Sequence, residues 1–333
     1  MPRINAGSPE GARVNAGSLL GLVAQRIALG LVLLLAASAL IFAGTQILPG
    51  DVAQSILGQS ATPQALANLR AELGLDQPAL TRYFSWLAGA LQGDLGNALS
   101  NGQDIATSMS HRLGNTLFLA GTAAIIAVPL ALILGLVSVR YQGRWPDKVI
   151  SGVTLATVSV PEFMLGYIAM FLLAVQFQVF PSVSTIYDGM SLGEQLQAIA
   201  LPALVMVLVV LGHMMRMTRA AILNVMQSAY IETAELKGLR RFTIISRHAL
   251  PNAIAPIVNV VMLNLAYLVV GVVVVEVVFV YPGMGQYLVD HVSKRDVPVV
   301  QACGLVFAAV YIGMNMIADI VALLANPRLR HPK

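Results

Sequence analysis

Two carboxylates stand inside otherwise uncharged apolar runs: Glu162, directly after Pro161, and Glu276, three residues before Phe279. An ionised carboxyl at bilayer depth is costly unless it faces protein or water, so each must either meet a charged group or be held by a buried bond. Pro161 removes a backbone donor and predicts a kink that opens space for water beside Glu162. Glu162 therefore has two readings, a cavity-lining acid that meets the positive end of a substrate and a structural acid hydrogen-bonded to a neighbouring span. Glu276, with Phe279, reads either as a gate or anchor at the external mouth or as a packing residue at the membrane interface.

Other chemistry has little support. An intramembrane hydrolase needs paired catalytic groups, and Glu162 has no partner in the sequence, so no catalytic residue is assigned. One cysteine, Cys303, excludes an intramolecular disulfide, and the five histidines are too scattered for metal-ligand spacing, so no metal site is expected. The chain has no Gly-x-x-x-x-Gly-Lys-Ser/Thr sequence with which backbone N–H groups could cradle nucleotide phosphates. No cofactor is expected in this chain.

The elements that position these groups follow from composition. Of 333 residues, 57% are hydrophobic and 11% charged, against about 25% charged in an ordinary soluble domain. The net charge of +4 comes from basic residues flanking apolar runs, which membrane topology explains without a nucleic-acid partner. A membrane span needs about 20 apolar residues. Five uncharged runs qualify: Ile27 to Leu48, Leu113 to Val139, Gln195 to Met215, Ala253 to Val275 and Val297 to Ala318. A sixth, Val149 to Phe180, is interrupted by Glu162. The chain reads as an all-α polytopic membrane protein with six transmembrane helices in contact with lipid. With the N-terminus inside, fifteen of the twenty basic residues fall on the inner face, as the positive-inside rule requires, so both termini are expected in the cytoplasm. Ala37-Ser38-Ala39 resembles a cleavage site, but the first run is too long for a signal peptide and reads as a permanent anchor.

The expected organisation is a leader (1–25), a first span (26–48), an external helical loop (49–112), a five-helix core (113–325) with a cytoplasmic loop at 216–251, and a tail (326–333). In the external loop, Pro63 to Gly74 frames one helix and Pro78 opens another, carrying Leu80, Tyr83, Phe84, Leu87 and Leu91. It stops at Gly93-Asp94-Leu95-Gly96. These helices suit a folded cap or a pair lying on the membrane. In the cytoplasmic loop, Ser228 to Lys237 reads as a helix, Gly238 as its stop, and Arg240 to Leu250 as a second helix closed by Pro251.

Within that loop, Glu232-Thr233-Ala234, three residues, Gly238, nine residues, then His248-Ala249-Leu250-Pro251 resembles the EAA signature of the membrane subunits of binding-protein-dependent ABC importers. Thr233 and His248 depart from its usual residues without altering the spacing. Gly93-Asp94-Leu95-Gly96, Leu73-Gly74-Leu75-Asp76-Gln77-Pro78, Val275 to Gly285, Arg295 to Gln301 and the tail Asp319 to Arg330, with Asn326-Pro327-Arg328-Leu329-Arg330, narrow the likeness to the dipeptide, oligopeptide and nickel permease family. That likeness covers nearly everything after the first 20 residues.

The resemblance implies a bacterial inner-membrane permease subunit of the type I importer kind, carrying di- or oligopeptides. Relatives of this kind also carry nickel chelates, glutathione, opines or oligosaccharides. It implies a second homologous permease subunit, two ATP-binding subunits that hold ATP and Mg, and a periplasmic or lipid-anchored solute-binding protein. The loop with Ala229, Glu232, Thr233, Ala234, Lys237, Gly238, Leu250 and Pro251 would then be the coupling helix that seats in a cleft on the ATPase, with Glu232 facing a basic residue there. The rival from another class is an ion-gradient-driven secondary transporter with Glu162 as a proton site; the absence of an inverted repeat argues against it.

Overall fold

In the computed structural model, residues 16–47, 52–57, 61–72, 74–187 and 189–325 are described. The first fifteen residues of the leader, Leu73 and the 326–333 tail lie outside them. Among the described residues the regular secondary structure is helical, as the apolar runs require: a helix is the only open-ended element that satisfies its own backbone in lipid.

Five helices are long and apolar enough to cross a membrane. They are α1 (Ala16–Ile47), α5 (Ile105–Arg140), α9 (Ala200–Met226), the continuous stretch Arg241–Val278, and α15 (Val297–Ala325). A bent pair, α6 (Trp145–Ser159) and α7 (Glu162–Ala169), the latter running on through a π-helical turn at Met170–Gln176, is long and apolar enough for a sixth crossing when taken as one span. The two halves of the pair meet at 105°. α5 and α9 pack along their length and form the centre; the Arg241–Val278 stretch lies on both, α15 covers that stretch and α1 covers α15. α1 exposes Leu29, Leu31, Val32, Leu33, Leu35 and Leu40 outward, the aspect of a helix that faces lipid.

Several boundaries differ from those expected. The run Val149 to Phe180 is not one kinked helix: Pro161 ends α6 outright, with Val160 driven to an extended φ −97°, ψ 129° by the ring that follows it. The run Gln195 to Met215 is two helices, α8 (Leu192–Ala198) and α9, and α9 continues past Arg216 to Met226, taking the first third of the loop expected at 216–251. Pro251 does not close a helix either. The chain passes from α11 (Arg241–Thr243) through a π-helical turn (Ile244–Ala249) into α12 (Leu250–Val270). A proline ring clashes with the carbonyl four residues back in an α-helix, and the wider π turn relieves that clash. The His248 carbonyl accepts from Asn252 Nδ2 at 2.8 Å.

At the other end, Ile105 to Arg112 form the first two turns of α5 instead of closing the external loop; Asp104 caps them, accepting from the Thr107 N–H at 2.7 Å. The external loop itself carries α2 (Val52–Leu57), α3 (Pro63–Glu72) and α4 (Ala79–Leu91). α4 packs on α1 through Phe42, Tyr83 and Trp86, with Tyr83 Oη 2.9 Å from Ser38 Oγ. The fifth span passes through a turn at Gly271–Val272, both residues still in the right-handed helical region, into α13 (Val273–Val278), and a helix not anticipated from the sequence, α14 (Met284–Ser293), precedes α15.

Candidate functional site

The EAA-like segment forms α10 (Ala229–Leu236). Its inward face buries Ile231 and Ala234 in a cluster with Val139, Ile222, Ile244, Ile245 and Ala249, so one short helix packs on the end of α9 and on the π turn that leads into α12. Its outward face presents Ala229, Glu232, Thr233 and Lys237 with no cover, and Leu236 is 83% exposed. Gly238 ends the helix at φ +74°, its N–H bonded to the Glu235 carbonyl at 2.9 Å and that of Leu239 to Ala234 at 3.3 Å. This closure demands a left-handed residue, which is why glycine stands there. Leu250 is half-buried and Pro251 exposed where the π turn enters α12.

Residues that the sequence reading passed over fasten this segment to the rest. Arg241 donates to the Gln142 side chain at 2.9 Å and to the Val139 carbonyl at 3.3 Å, and Arg140 lies over the Phe242 ring at 5.2 Å. One turn deeper, Asp147 accepts from Arg219 through Nη2 at 3.0 Å and Nε at 3.1 Å, and from the Gly143 N–H at 2.9 Å. Ser138 joins the same group, donating to Asp147 and accepting from Arg219 Nε at 2.9 Å. Asp147 follows Trp145-Pro146, a helix-start pattern that a sequence reader could have flagged. Its partner 72 positions on carries no local signal.

Glu162 is the first residue of α7 and is half-buried in the angle of the broken span. Tyr267 of α12 donates to its Oε2 at 3.0 Å. Together they border a recess with room for about one water molecule, walled by Met206, Val210, Leu268 and Gly271. Pro161 stays exposed beside it. Of the two readings given above, the bond to a neighbouring span is present, and so is the recess.

Glu276 and Phe279, by contrast, are fully buried and border no open surface of the chain. Glu276 Oε1 accepts from Thr116 Oγ1 at 2.6 Å, and Oε2 from the N–H groups of Gly285 at 2.6 Å and Gln286 at 3.2 Å. It thereby takes up N–H groups at the N-terminus of α14 and pins that helix to α5. A Cβ on Gly283 would overlap the Glu276 carboxyl, so the Tyr281-Pro282-Gly283 turn closes on it only with glycine. Tyr281 donates to the Asn115 carbonyl at 2.8 Å. Burial, with the nearby Glu276 carboxyl adding to it, pushes the Tyr281 phenol up.

The external motif does positioning work as well. Asp94 accepts from the Gly96 N–H at 2.9 Å, the Gly96 carbonyl accepts from Ile105 at 3.1 Å, and Leu95 packs against the cluster of Ala98, Ile105, Met284 and Tyr287. Gly93, at φ +83°, turns the chain out of α4. Asp296, almost fully buried, then clamps the following loop by accepting from the N–H groups of Leu99 at 3.1 Å and Ser100 at 2.9 Å. Among the described residues no group of three or more His, Cys, Asp or Glu side chains could hold a metal.

Residues 127–331 match the family described as binding-protein-dependent transport system inner membrane component, and residues 19–120 match the N-terminal family of such membrane components. A Brucella abortus protein, provisionally named as a peptide transport system permease protein, is 34% identical over 310 residues, 93% of this chain and 99% of its own length. The glutathione transport system permease protein GsiC of Salmonella choleraesuis is 34% identical over 316 residues, covering 94% of this chain and all of that one. GsiC of Escherichia coli is 33% identical over 314 residues with the same coverage. Five membrane-length helices with a bent pair that can supply a sixth, a short helix with an open face packed on their ends and a match along nearly the whole chain agree: this chain belongs to the inner-membrane components of binding-protein-dependent transport systems.

Proposed function

We propose that this chain is the permease subunit that forms the translocation path for di- or oligopeptides delivered by an external solute-binding protein. Separate ATPase subunits drive it, two per importer, and hold ATP and Mg; a second homologous permease subunit completes the path. Both termini lie in the cytoplasm, which puts α10 on the ATPase side.

The observation that carries this reading is the two-sidedness of α10: Ile231 and Ala234 buried against α9 and the π turn before α12, Glu232, Thr233, Leu236 and Lys237 left open. An open face of this kind fits a groove on another protein, with Glu232 meeting a basic residue there and Leu236 filling an apolar pocket. Displacement of α10 reaches α9 and α12 through the buried pair, and the α5–α6 turn through Arg241. The Asp147–Arg219 bond ties α6 to α9, so the broken span at Glu162 moves with them. Peptides passing that point meet the carboxylate of Glu162 with their positive end.

Glutathione is the second substrate reading, favoured by the GsiC relatives. Being a tripeptide with a free amino group, it needs the same path chemistry. Uptake of radiolabelled trialanine and of glutathione into proteoliposomes holding the complete importer separates the two. ATP dependence that survives collapse of ion gradients supports the reading; uptake that follows an ion gradient without ATP ends it.

A further inference from the structure

Glu162 Oε2 accepts from Tyr267, while Oε1 has no protein donor among the described residues, and no Lys or Arg side chain among them lies within ion-pair distance of the carboxylate. This is an unusual balance for an acid inside a span, since an ionised carboxylate there ordinarily takes a cation or several donors. Glu162 is the first residue of α7, so the N-terminus of that helix supports its charge while leaving Oε1 without a donor of its own. Gly271, where α12 turns into α13, borders the same recess. An ionisable side chain at the break of a discontinuous helix is an arrangement in which membrane transporters hold charged solutes.

The recess itself has room for one water-sized group in this conformation. A primary ammonium is of that size, whereas a carboxylate or a planar guanidinium is larger. Its remaining walls, Met206, Val210 and Leu268, are apolar and raise the strength of a charge-assisted bond made inside them. From this juxtaposition we propose that the Glu162–Tyr267 pair is a binding site for the ammonium group of the transported solute, Glu162 Oε1 accepting from it and the Tyr267 hydroxyl fixing the carboxylate from behind. Glu162 is the binding residue and Tyr267 a positioning residue. The site rests on the peptide-import reading and deepens it: the permease itself discriminates solutes by a free amino terminus.

The test uses the complete importer in lipid nanodiscs without its solute-binding protein, so that selectivity outside the membrane does not enter. Saturation-transfer NMR is recorded with millimolar trialanine and, separately, N-acetyl-trialanine. The parental complex should transfer saturation to the α- and methyl protons of the first residue of trialanine and only weakly to the acetylated peptide. Glu162→Gln should reduce the trialanine signal about tenfold, the worth of one charge-assisted bond, and leave the acetylated one unchanged. Tyr267→Phe, which keeps the carboxylate and loses its orientation, should give an intermediate loss for trialanine alone. Equal signals from both peptides in the parent, or a trialanine signal unaltered by Glu162→Gln, overturns the site. ATP-driven uptake of trialanine by the parental importer is scored apart: its absence ends the peptide reading, whereas normal uptake with an unaltered NMR signal ends only this site.

Discussion

Arg219 of α9 holds Asp147 of α6 by two parallel bonds of 3.0 and 3.1 Å, and Ser138 of α5 is bonded to both. Three spans are thereby joined one turn away from the segment that carries α10. The Asp147 side chain is nearly buried and that of Arg219 about 29% exposed, so truncating one partner leaves the other charged and poorly solvated. After allowance for the exposed side of the arginine, that costs about 1–3 kcal/mol. Arg219→Met should leave the complex able to hydrolyse ATP while uptake falls about tenfold, and Asp147→Asn combined with it should recover assembly yield. Measuring ATPase rate and uptake on the same proteoliposomes decides this; loss of both in proportion would make the bond a packing feature only.

Gly238 tests the coupling segment. A β-branched residue at φ +74° strains the backbone by about 1–2 kcal/mol, and the spans are untouched. Gly238→Val should reach the membrane at parental levels, by quantitative blot of washed membranes, yet lose most ATP-driven uptake. Parental uptake in this variant would mean that α10 is not the transmission element.

Glu276 should behave as a keystone. Glu276→Leu strips acceptors from Thr116 Oγ1 and two backbone N–H groups in a dry interior, at about 1–3 kcal/mol for each unpaired group. It should lower the thermal midpoint of the purified complex sharply. Glu276→Gln keeps an oxygen toward α14 and should sit much closer to the parent. If Leu and Gln are equally mild by fluorescence-detected thermal unfolding, the bonds do not hold α14.

Orientation is open to chemical labelling. In a Cys303→Ala background, cysteines replacing Asn101 and Lys237, both exposed and at opposite ends of the bundle, should differ toward an impermeant maleimide applied to cells with a permeabilised outer membrane. Asn101→Cys should label and Lys237→Cys should not. The opposite pattern would place α10 outside and end the coupling reading.

How the sequence relates to the structure is plain at particular residues. Apolar length announced every crossing, because hydrocarbon accepts only helices of about 20 residues. Gly238 was legible as a stop since only glycine enters the left-handed turn cheaply, and α3 and α4 were legible from Pro63, Pro78 and their apolar spacing. Pro251 misled, because the cost of a proline depends on whether the turn before it can widen, and the sequence does not state that.

The sequence by itself determined an all-helical membrane protein with six apolar runs long enough to cross, the place of the α10 segment and the two acids in apolar runs. Those properties depend on composition and on spacing within one helix, where each residue's neighbours are known in advance. Only the tertiary structure decided what the acids do. Glu276 finds Thr116, 160 residues earlier, and disappears into the core, while Glu162 finds Tyr267 and keeps one oxygen open to the recess. Asp147 and Arg219 likewise become a pair only when α6 and α9 pack together. A charge inside a span is tolerated according to what lies across from it, and that partner is supplied by another helix through packing that no local pattern encodes.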